Sequence, residues 1–338
     1  MQQITELGID IAKNVFELCG LNAAHEVVYR KRVRRRQFLA TVLNLDAKRI
    51  YIEACGSSHH WARQLQRENR SVTLLAPHQV KPFNTGNKND ANDALAIAVA
   101  GTQAKIRPVA IKSFEQQDIQ ALHRVREQVK KQRTEVINQA RGLLAEYGQV
   151  LPVGVSGFRR GVPELLEEAD NGLTDRLRAL VADLYDHFHA LEARMQQYDR
   201  DIKALANQID FCRRAMAVGG IGAQTATAFY ATVGDAALFD NGRQVSAWVG
   251  LVPKQHSSGD RQWLGSITKR GSRYLRTLLV HGARALLTRV EHLPGRRGDW
   301  LRQRVARNGR NKAAVALANK NARILWALMY SGDRYRAG

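Results

Sequence analysis

Residues 4–33 read ITELGIDIAKNVFELCGLNAAHEVVYRKRV, and three β-rich runs follow one another closely within this stretch. The runs are Ile4 to Ile9, Val15 to Leu21 and Val27 to Val33. Short runs rich in aliphatic and β-branched side chains, separated by polar turn residues, are typical of neighbouring strands. The stretch therefore predicts the first three strands of one sheet.

Strand and helix signals alternate after this stretch. They consist of β-rich runs at Arg49 to Ile52 and Val72 to Leu75, and of helix-like segments near 36–45, 58–68 and 90–103. Three closely spaced strands followed by such an alternation predict a mixed sheet with helices on its faces. We expect an α/β domain over residues 1–105.

Two long helices are predicted over the middle region, residues 106–208. Ser113 and Gln116 resemble a capping box, and an apolar stripe indicates that the helix after them runs to about Tyr147. Residues 148–163 contain four glycines and two prolines, which predicts a linker. A second helix carries a heptad seam from Leu177 to Leu205, typical either of an internal helical hairpin or of an intermolecular coiled coil.

Positive charge dominates the chain, and especially its C-terminal end. Lys and Arg number 52 against 31 Asp and Glu, a formal net charge of +21, and residues 254–338 hold 19 Lys and Arg against four acids. Such an excess attracts phosphate backbones. The clustering argues against an ordinary basic protein. We expect residues 209–338 to form a mainly α-helical, basic domain with a polyanionic partner.

Four acids lie at the ends of predicted strands or at the start of a predicted helix. Asp10 ends the first strand in GIDIAK, Glu53 follows a later strand in YIEACG, and Asp90 and Asp93 begin a helix in KNDANDALAIA. Each acid alone has a structural explanation, Asp10 as a turn residue and Asp90 and Asp93 as an N-cap and a first-turn acid. Together they predict a site for a hard divalent cation, Mg2+ or Mn2+.

The sequence resembles a family of transposases. The motifs that carry the resemblance are GIDIAK, IEACG, NKNDANDA, VGGIGAQTATA, WVGLVPKQHSSG and GSITKRGSRYLRTLL. They are similar to the insertion sequence 110 family, and NKNDANDA to its 1111 branch, with a relation to Piv-type DNA invertases. The resemblance implies a RuvC-like (RNase H-like) N-terminal domain with a metal-binding DEDD set, here Asp10, Glu53, Asp90 and Asp93. It also implies direction by a structured, element-encoded guide RNA.

A serine in the C-terminal domain is the implied nucleophile. The family pattern places it immediately before a glycine, which gives Ser258 before Gly259, with Ser257 as the competing residue. A serine hydroxyl needs an activating group, which the sequence does not identify, and the neighbouring His256 reads as incidental. Without the resemblance, an ordinary polar loop is the better interpretation. Since the acids and Ser258 are far apart in the sequence, folding or assembly must unite them, within one chain or across subunits.

Several further segments are expected to contact nucleic acid. Residues 217–228, AVGGIGAQTATA, resemble a helix-hairpin-helix in which Gly220 and Gly222 would let backbone N–H groups meet a phosphate. A tight structural turn is the alternative. The candidate cations are Lys269, Arg270, Arg273 and Arg276 at helical spacing, a second group of Arg307, Arg310 and Lys312, and the run at 30–36. Solvated faces, or a hydrated edge strand for the run, are the alternatives.

The favoured function is therefore strand exchange of a mobile element through a serine–DNA covalent intermediate. The alternatives are a RuvC-like endonuclease or junction resolvase that uses water, and a noncatalytic nucleic-acid-binding protein. The expected partners are double-stranded DNA at element ends and target, the guide RNA, and further copies in a homodimer or homotetramer. Three cysteines without metal-ligand spacing, and no apolar run long enough for a membrane span, predict a soluble cytoplasmic protein. The resemblance implies that it is bacterial and associated with the nucleoid.

Overall fold

A computed structural model describes residues 3–84, 90–258 and 261–336 of the chain. Their contacts group into two compact units. Unit 1 comprises residues 1–113 with 233–240, and unit 2 comprises residues 114–232 with 241–338. The three-region division expected from the sequence stays a prediction. No helix among the described residues is long and apolar enough to cross a membrane.

Unit 1 is built around one mixed sheet. Its strands are β1 (Glu6–Ile11), β2 (Val15–Leu21), β3 (Val27–Arg34), β4 (Arg49–Glu53), β5 (Val72–Leu75) and β6 (Pro108–Val109). Its helices are α1 (Phe38–Leu43), α2 (Ser58–Arg67), α3 (Pro77–Val80) and α4 (Asp90–Gly101). The strand order is β3-β2-β1-β4-β5-β6. β1 is antiparallel to β2 and parallel to β4, which confirms the predicted mixed α/β unit.

The two faces of the sheet bury different side chains. One face of β1 presents Leu7, Ile9 and Ile11 to a core that includes Phe38 of α1 and Trp61 of α2. Because side chains alternate along a strand, Gly8 and Asp10 point to the opposite face. That face is covered by α4, whose Ala94 and Ala98 pack in a small cluster with Cys19 and Leu21 of β2.

Gly8 permits a very close approach between β1 and α4. A Cβ atom at this position would lie 2.3 Å from the carbonyl oxygen of Ala94 and 2.5 Å from the backbone nitrogen of Ala98. Real Cβ atoms do not approach backbone atoms this closely, so only glycine fits here. Alanine at both helix positions leaves the matching space on α4. The distance between α4 and the sheet is therefore set by an absent side chain.

Unit 2 is mainly helical, as predicted. Its helices are α5 (Phe114–Ala145), α6 (Val155–Glu167), α7 (Asp175–Gln208), α8 (Asp210–Met216), α9 (Ala223–Val233), α10 (Gly242–Trp248), α11 (Arg273–Leu287) and α12 (Gly295–Ser331), and its strands are β7 (Pro253–Ser258) and β8 (Arg261–Ile267). The two strands form an antiparallel hairpin that the sequence analysis did not predict.

The heptad seam of α7 packs inside the unit. Arg126 of α5 binds Asp199 through two hydrogen bonds of 2.6 and 3.1 Å, and Arg133 binds Glu192 at 2.9 Å. These pairs show that α5 and α7 run antiparallel. Leu191 is 3% exposed in a core shared by α5, α6 and α7. Of the two alternatives for the seam, the internal hairpin is the one seen.

The predicted linker at 148–163 is wrong from residue 155 onward, where α6 begins. Pro163 lies inside this helix and has no N–H to donate to the carbonyl of Arg159. The hydroxyl of Tyr185 on α7 donates to that carbonyl instead, at 2.8 Å. Gly157 also packs closely, since a Cβ there would lie 2.3 Å from the carbonyl oxygen of Pro152. Pro163 and Gly157, which predict a helix break from the sequence, are tolerated in α6 because of these packing contacts.

A buried histidine ties α5 to the C-terminal helices. His123 Nδ1 lies 2.8 Å from the hydroxyl of Tyr274 on α11, and its Nε2 lies 3.0 Å from Thr227 Oγ1 on α9. Burial, with a smaller contribution from Arg126, lowers the pKa of His123 to about 4. The imidazole is therefore neutral at pH 7 and serves as a hydrogen-bonding bridge within the helical unit.

We predict that Gly8→Ala strongly destabilises unit 1, because the added methyl group forces α4 away from β1. Overpacking of this kind costs about 1–3 kcal/mol or more. Thermal or urea unfolding measures the change. The matched control is Gly142→Ala in α5, where an added Cβ meets no atom within 4 Å. Equal stability of Gly8→Ala and wild type would contradict the close approach.

Candidate functional site

The sheet brings two of the predicted acids to the same level. Ile9 of β1 pairs with Ile52 of the parallel strand β4. The next residues along these strands are Asp10 and Glu53, which therefore emerge side by side on the face opposite the Ile9 core. Asp10 belongs to a strand and not to a turn, so the turn-residue explanation does not describe it.

The first turn of α4 adds two further carboxylates. Asp90 and Asp93 both lie in this turn, three residues apart, and therefore share a helix face. Carboxylate oxygens of Asp10, Asp90 and Asp93 all lie within 4.8 Å of one another. The same packing at Gly8 that seats α4 on β1 thus brings its N-terminal acids to Asp10. Residues 85–89, which hold the first part of the NKNDANDA motif, lie outside the described residues.

Burial and neighbouring charges raise the pKa values of Asp10 and Glu53. Burial, then the charges of Asp93 and Asp90, raises the pKa of Asp10 to about 6. Burial, then Asp10 and Asp93, also raises the pKa of Glu53. Glu53 is not among the three acids whose oxygens lie within 4.8 Å of one another, but the strand register places it beside Asp10 on the same face of the sheet. We call these four residues the acidic cluster.

Two polar neighbours of the acidic cluster were missed in the sequence. Glu17 of β2 is the cross-strand partner of Asp10, and its carboxylate forms a 3.2 Å salt bridge with Arg32 on the edge strand β3. Asn84 donates a hydrogen bond from its amide to Asp93. In the sequence, Glu17 is a single acid within a predicted strand, and Asn84 lies in a stretch with no predicted helix or strand. Neither belongs to a motif that indicates metal binding. Only the pairing register and the fold identify them.

The donor set suits a hard divalent cation. Mg2+ and Mn2+ prefer carboxylate oxygens, and the acidic cluster offers only such ligands. Without a cation, the neighbouring negative charges contribute, after burial, to the raised pKa values of Asp10 and Glu53. Asp10, Asp90 and Asp93 have the spacing to bind one ion together, with Glu53 beside them.

The candidate nucleophile lies on the hairpin of unit 2. Ser258 is the last residue of β7 and is paired with Arg261, the first residue of β8. It lines a cleft of about 630 Å3 with His256, Ser257, Arg261 and Trp263. Trp263 is 65% exposed, so the cleft is open to a large ligand. Gly259, which the family pattern places after the serine, lies outside the described residues.

Ser257, the competing residue, has different contacts from Ser258. Gln255 Nε2 donates a 2.9 Å hydrogen bond to Ser257 Oγ. The ring of His256 lies against that of Trp263, with centroids 5.8 Å apart, in a tilted arrangement. Ser258, by contrast, lies at the end of the strand beside the guanidinium-bearing Arg261. The side chain of Ser257 thus has a hydrogen-bond partner on its own strand, whereas Ser258 is paired with Arg261 of β8.

The predicted helical spacing of Lys269, Arg270, Arg273 and Arg276 is wrong for the first two. Gly271 has φ of 66°, and the side chain of Ser272 caps a helix that begins only at Arg273. Lys269 and Arg270 therefore lie in the preceding loop, where they are exposed, as is Arg273. Arg276 instead donates to the carbonyls of Val249 and Arg270, at 2.9 and 2.7 Å, and braces that loop.

Some of the other predicted contact residues are packed inside unit 2, and others are exposed. Gly220 has φ of 82° and packs on α11, since a Cβ there would lie 2.8 Å from the carbonyl oxygen of Gly282. This contact matches the tight-turn alternative. A Cβ at Gly222 would meet no atom within 4 Å. Arg310 and Lys312 are exposed on α12, and residues 30–36 include the end of the edge strand β3. Their nucleic-acid contacts stay predictions.

Comparison with known proteins places the chain among the transposases. Residues 7–149 match the family DEDD_Tnp_IS110, described as "Transposase", and residues 212–297 match a family described as "Transposase IS116/IS110/IS902 family". The chain is 44% identical to the transposase for insertion sequence element IS1111A of Coxiella burnetii, over 100% of this chain and 93% of that protein. It is 41% identical to a probable family 20 transposase of Pseudomonas aeruginosa, over 99% of each chain.

These matches define a transposase, a class of DNA-processing enzyme. The chain belongs to the IS116/IS110/IS902 family, as its motifs predicted. Its general function is transposition. Membership of a DEDD transposase family also implies a divalent metal ion, in agreement with the donor set of the acidic cluster.

We predict that Mg2+ or Mn2+ stabilises the wild-type protein but not Asp10→Asn. A ligand at about 100 times its Kd stabilises the folded state by roughly 3 kcal/mol. Thermal unfolding with and without metal measures this, with Asp46→Asn, an exposed acid outside the acidic cluster, as the control. Metal stabilisation of Asp10→Asn equal to that of wild type would remove Asp10 from the site.

The raised pKa of Asp10 sets the direction in which the stability of the metal-free protein changes with pH. The folded-state pKa of Asp10, about 6, exceeds its ordinary value of 3.8. Between these values the folded chain retains a proton that the unfolded chain has released. The metal-free protein therefore loses stability as the pH rises through this range, and Asp10→Asn removes that loss. The apparent metal affinity should fall as the pH drops below 6, because protons compete for the carboxylate.

Proposed function

We propose that the chain catalyses DNA strand exchange of a mobile element by phosphoryl transfer. In this proposal Asp10, Glu53, Asp90 and Asp93 bind Mg2+ or Mn2+, and Ser258 is the nucleophile. The observation that carries the proposal is the convergence of three carboxylates within 4.8 Å on the sheet of unit 1. Burial and the neighbouring charges raise the pKa values of Asp10 and Glu53, and a bound cation would offset both costs.

The fold of unit 1 supports the role of the acidic cluster. The sheet order, with β1 at the centre and an acid-bearing helix on one face, is consistent with the RuvC-like fold that the resemblance implies. The bound cation would neutralise charge on the attacking and leaving oxygens of a phosphodiester. The carboxylates would hold it in place, and Asn84 and Arg32 would orient Asp93 and Glu17 through their contacts.

The serine step conserves the phosphodiester bond. Ser258 Oγ forms a bond to phosphorus and loses its proton to a base in solution or on the protein. The bond from phosphorus to a deoxyribose oxygen breaks, and that oxygen leaves as a protonated hydroxyl. Reversal with a hydroxyl of another strand releases the serine and joins the strands, so no further energy source is needed. Arg261 beside Ser258 favours a phosphate at this position.

The proposal includes nucleic-acid and protein partners. Double-stranded DNA at element ends and target is the substrate, and the exposed cations of unit 2 suit its phosphates. The guide RNA is proposed from the family resemblance. A homodimer or homotetramer is proposed because strand exchange must hold several DNA ends together. Leu191 belongs to the core of unit 2, so the exposed Leu180 is a better position than Leu191 for probing association.

A hydrolytic endonuclease is the competing reaction, because it needs the acids but not the serine. In that case water attacks the phosphodiester and no covalent adduct forms. Both reactions depend on metal, so loss of cleavage in Asp10→Asn does not separate them. A covalent adduct between DNA and Ser258 does, because only strand exchange by the serine forms one.

We predict that Ser258→Ala abolishes covalent attachment of the protein to DNA carrying its element ends. The hydroxyl that forms the phosphoserine bond is then missing, whereas the matched variant Ser257→Ala retains the adduct. Denaturing electrophoresis of protein incubated with labelled DNA, flanking RNA and Mg2+ measures the adduct. An adduct that persists in Ser258→Ala would sink the assignment, and its selective loss in Ser257→Ala would move the nucleophile by one residue. Metal-dependent cleavage without any adduct would favour the endonuclease.

A further inference from the structure

A second, larger cleft in unit 2 lies along α12. This helix is interrupted at Gly309, whose φ of 75° and ψ of 163° are essentially restricted to glycine. The break folds the two halves of α12 toward each other, so that Lys320 of the second half reaches Trp300 of the first. The Lys320 Nζ lies 4.6 Å from the centroid of the Trp300 ring. The space beside these halves forms a cleft of about 980 Å3, which we call the Trp300 cleft.

The lining of the Trp300 cleft is strongly cationic. It includes five basic side chains and, among the described residues, no acid; the five are Arg243, Arg304, Lys312, Lys320 and Arg323. None of the five forms a salt bridge within the described part of the chain. Burial, then Arg297 and Arg323, lowers the pKa of Lys320, as expected for cations that repel one another. An anionic ligand would relieve this repulsion.

Aromatic rings line the same cleft. Trp300 has the guanidinium of Arg304 at 5.8 Å from its ring centroid in addition to Lys320. Trp326 also lines the cleft and stacks on Tyr330, with centroids 5.2 Å apart and planes at 19°. Tyr330 is 62% exposed, so this stack leads from the cleft to the surface. Indole rings beside cations bind flat bases that are attached to phosphates.

We propose that the Trp300 cleft binds a single-stranded segment of DNA, with its phosphates at the basic side chains and an unpaired base against the tryptophan rings. A duplex is a poorer occupant, because its bases are stacked inside and cannot reach the rings. An acidic peptide would satisfy the cations but leave the rings without a flat ligand. Strand exchange creates unpaired segments, so the inference deepens the proposed function and specifies where such a segment is held. DNA is favoured over RNA because transposition acts on DNA.

The test is the binding of a fluorescein-labelled oligothymidylate to the full chain in EDTA, followed by anisotropy at several salt concentrations. Arg304→Ala combined with Arg323→Ala should weaken binding at least about tenfold and reduce the salt slope by roughly 1.4 for two lost phosphate contacts. Trp300→Ala should weaken binding roughly tenfold with an unchanged slope. Trp300→Phe should recover most of the loss.

The control for lost charge is Lys203→Ala, an exposed cation on α7 outside the cleft. Melting temperatures check folding, and the double arginine variant changes only exposed side chains, so it remains informative if Trp300→Ala is unstable. Unchanged binding by the double variant, or a loss no greater than that of Lys203→Ala, overturns the proposal. An equal loss for a duplex of the same length also overturns it. Tighter, cleft-dependent binding of oligouridylate overturns the assignment to DNA.

This assay is independent of the catalytic assignments. Asp46→Asn, which changes an exposed acid outside the acidic cluster, should bind the oligonucleotide as wild type does, since Asp46 does not line the cleft. If the cleft variants bind normally while adduct formation depends on Ser258, the cleft proposal fails and the proposed function stands. If the cleft variants lose binding but Asp10 and Ser258 prove dispensable for DNA processing, the proposed function fails and the cleft stands.

Discussion

The contact between Gly8 and the backbone of α4 is the constraint on which the candidate metal centre depends. A helix that packs on a sheet is ordinarily held off by side chains from both surfaces. Here the strand contributes none at Gly8, and α4 contributes only the methyl groups of Ala94 and Ala98. The start of the helix therefore reaches the end of β1, and Asp90 and Asp93 meet Asp10. Close packing and acid convergence are two consequences of one arrangement.

The two units concentrate charges of opposite sign. Packing holds the acids together in spite of their mutual repulsion. Burial, and then the charges of Asp93 and Asp90, raises the pKa of Asp10 to about 6. Unit 2 shows the reverse condition in the Trp300 cleft, where cations converge and no acid is present among the described lining residues. A divalent cation relieves the first repulsion and a phosphate backbone the second. In the proposed function each ligand has its own surface on the chain.

The sequence predicted this fold where burial governs the pattern. The apolar runs of β1 to β5 and the long helices were recognisable, and the acids at strand ends followed from them. Prediction failed where a distant residue decides the outcome. Pro163 is tolerated because Tyr185 replaces its missing donor, and β7 was missed because all six of its residues are exposed and carry no alternation. The cleft depends on Gly309 folding one half of α12 toward the other, which periodicity cannot show.

The most direct test of the central claim is cleavage of the polypeptide by hydroxyl radicals generated at Fe2+ bound in place of Mg2+. Radicals act within a short distance of the ion, so the cut positions map its ligands. We expect cuts near Asp10, near Glu53 and at the start of α4, all suppressed by excess Mg2+ and absent in Asp10→Asn. Cuts confined to unit 2, or an unchanged pattern in Asp10→Asn, would contradict a metal centre built on the contact between β1 and α4.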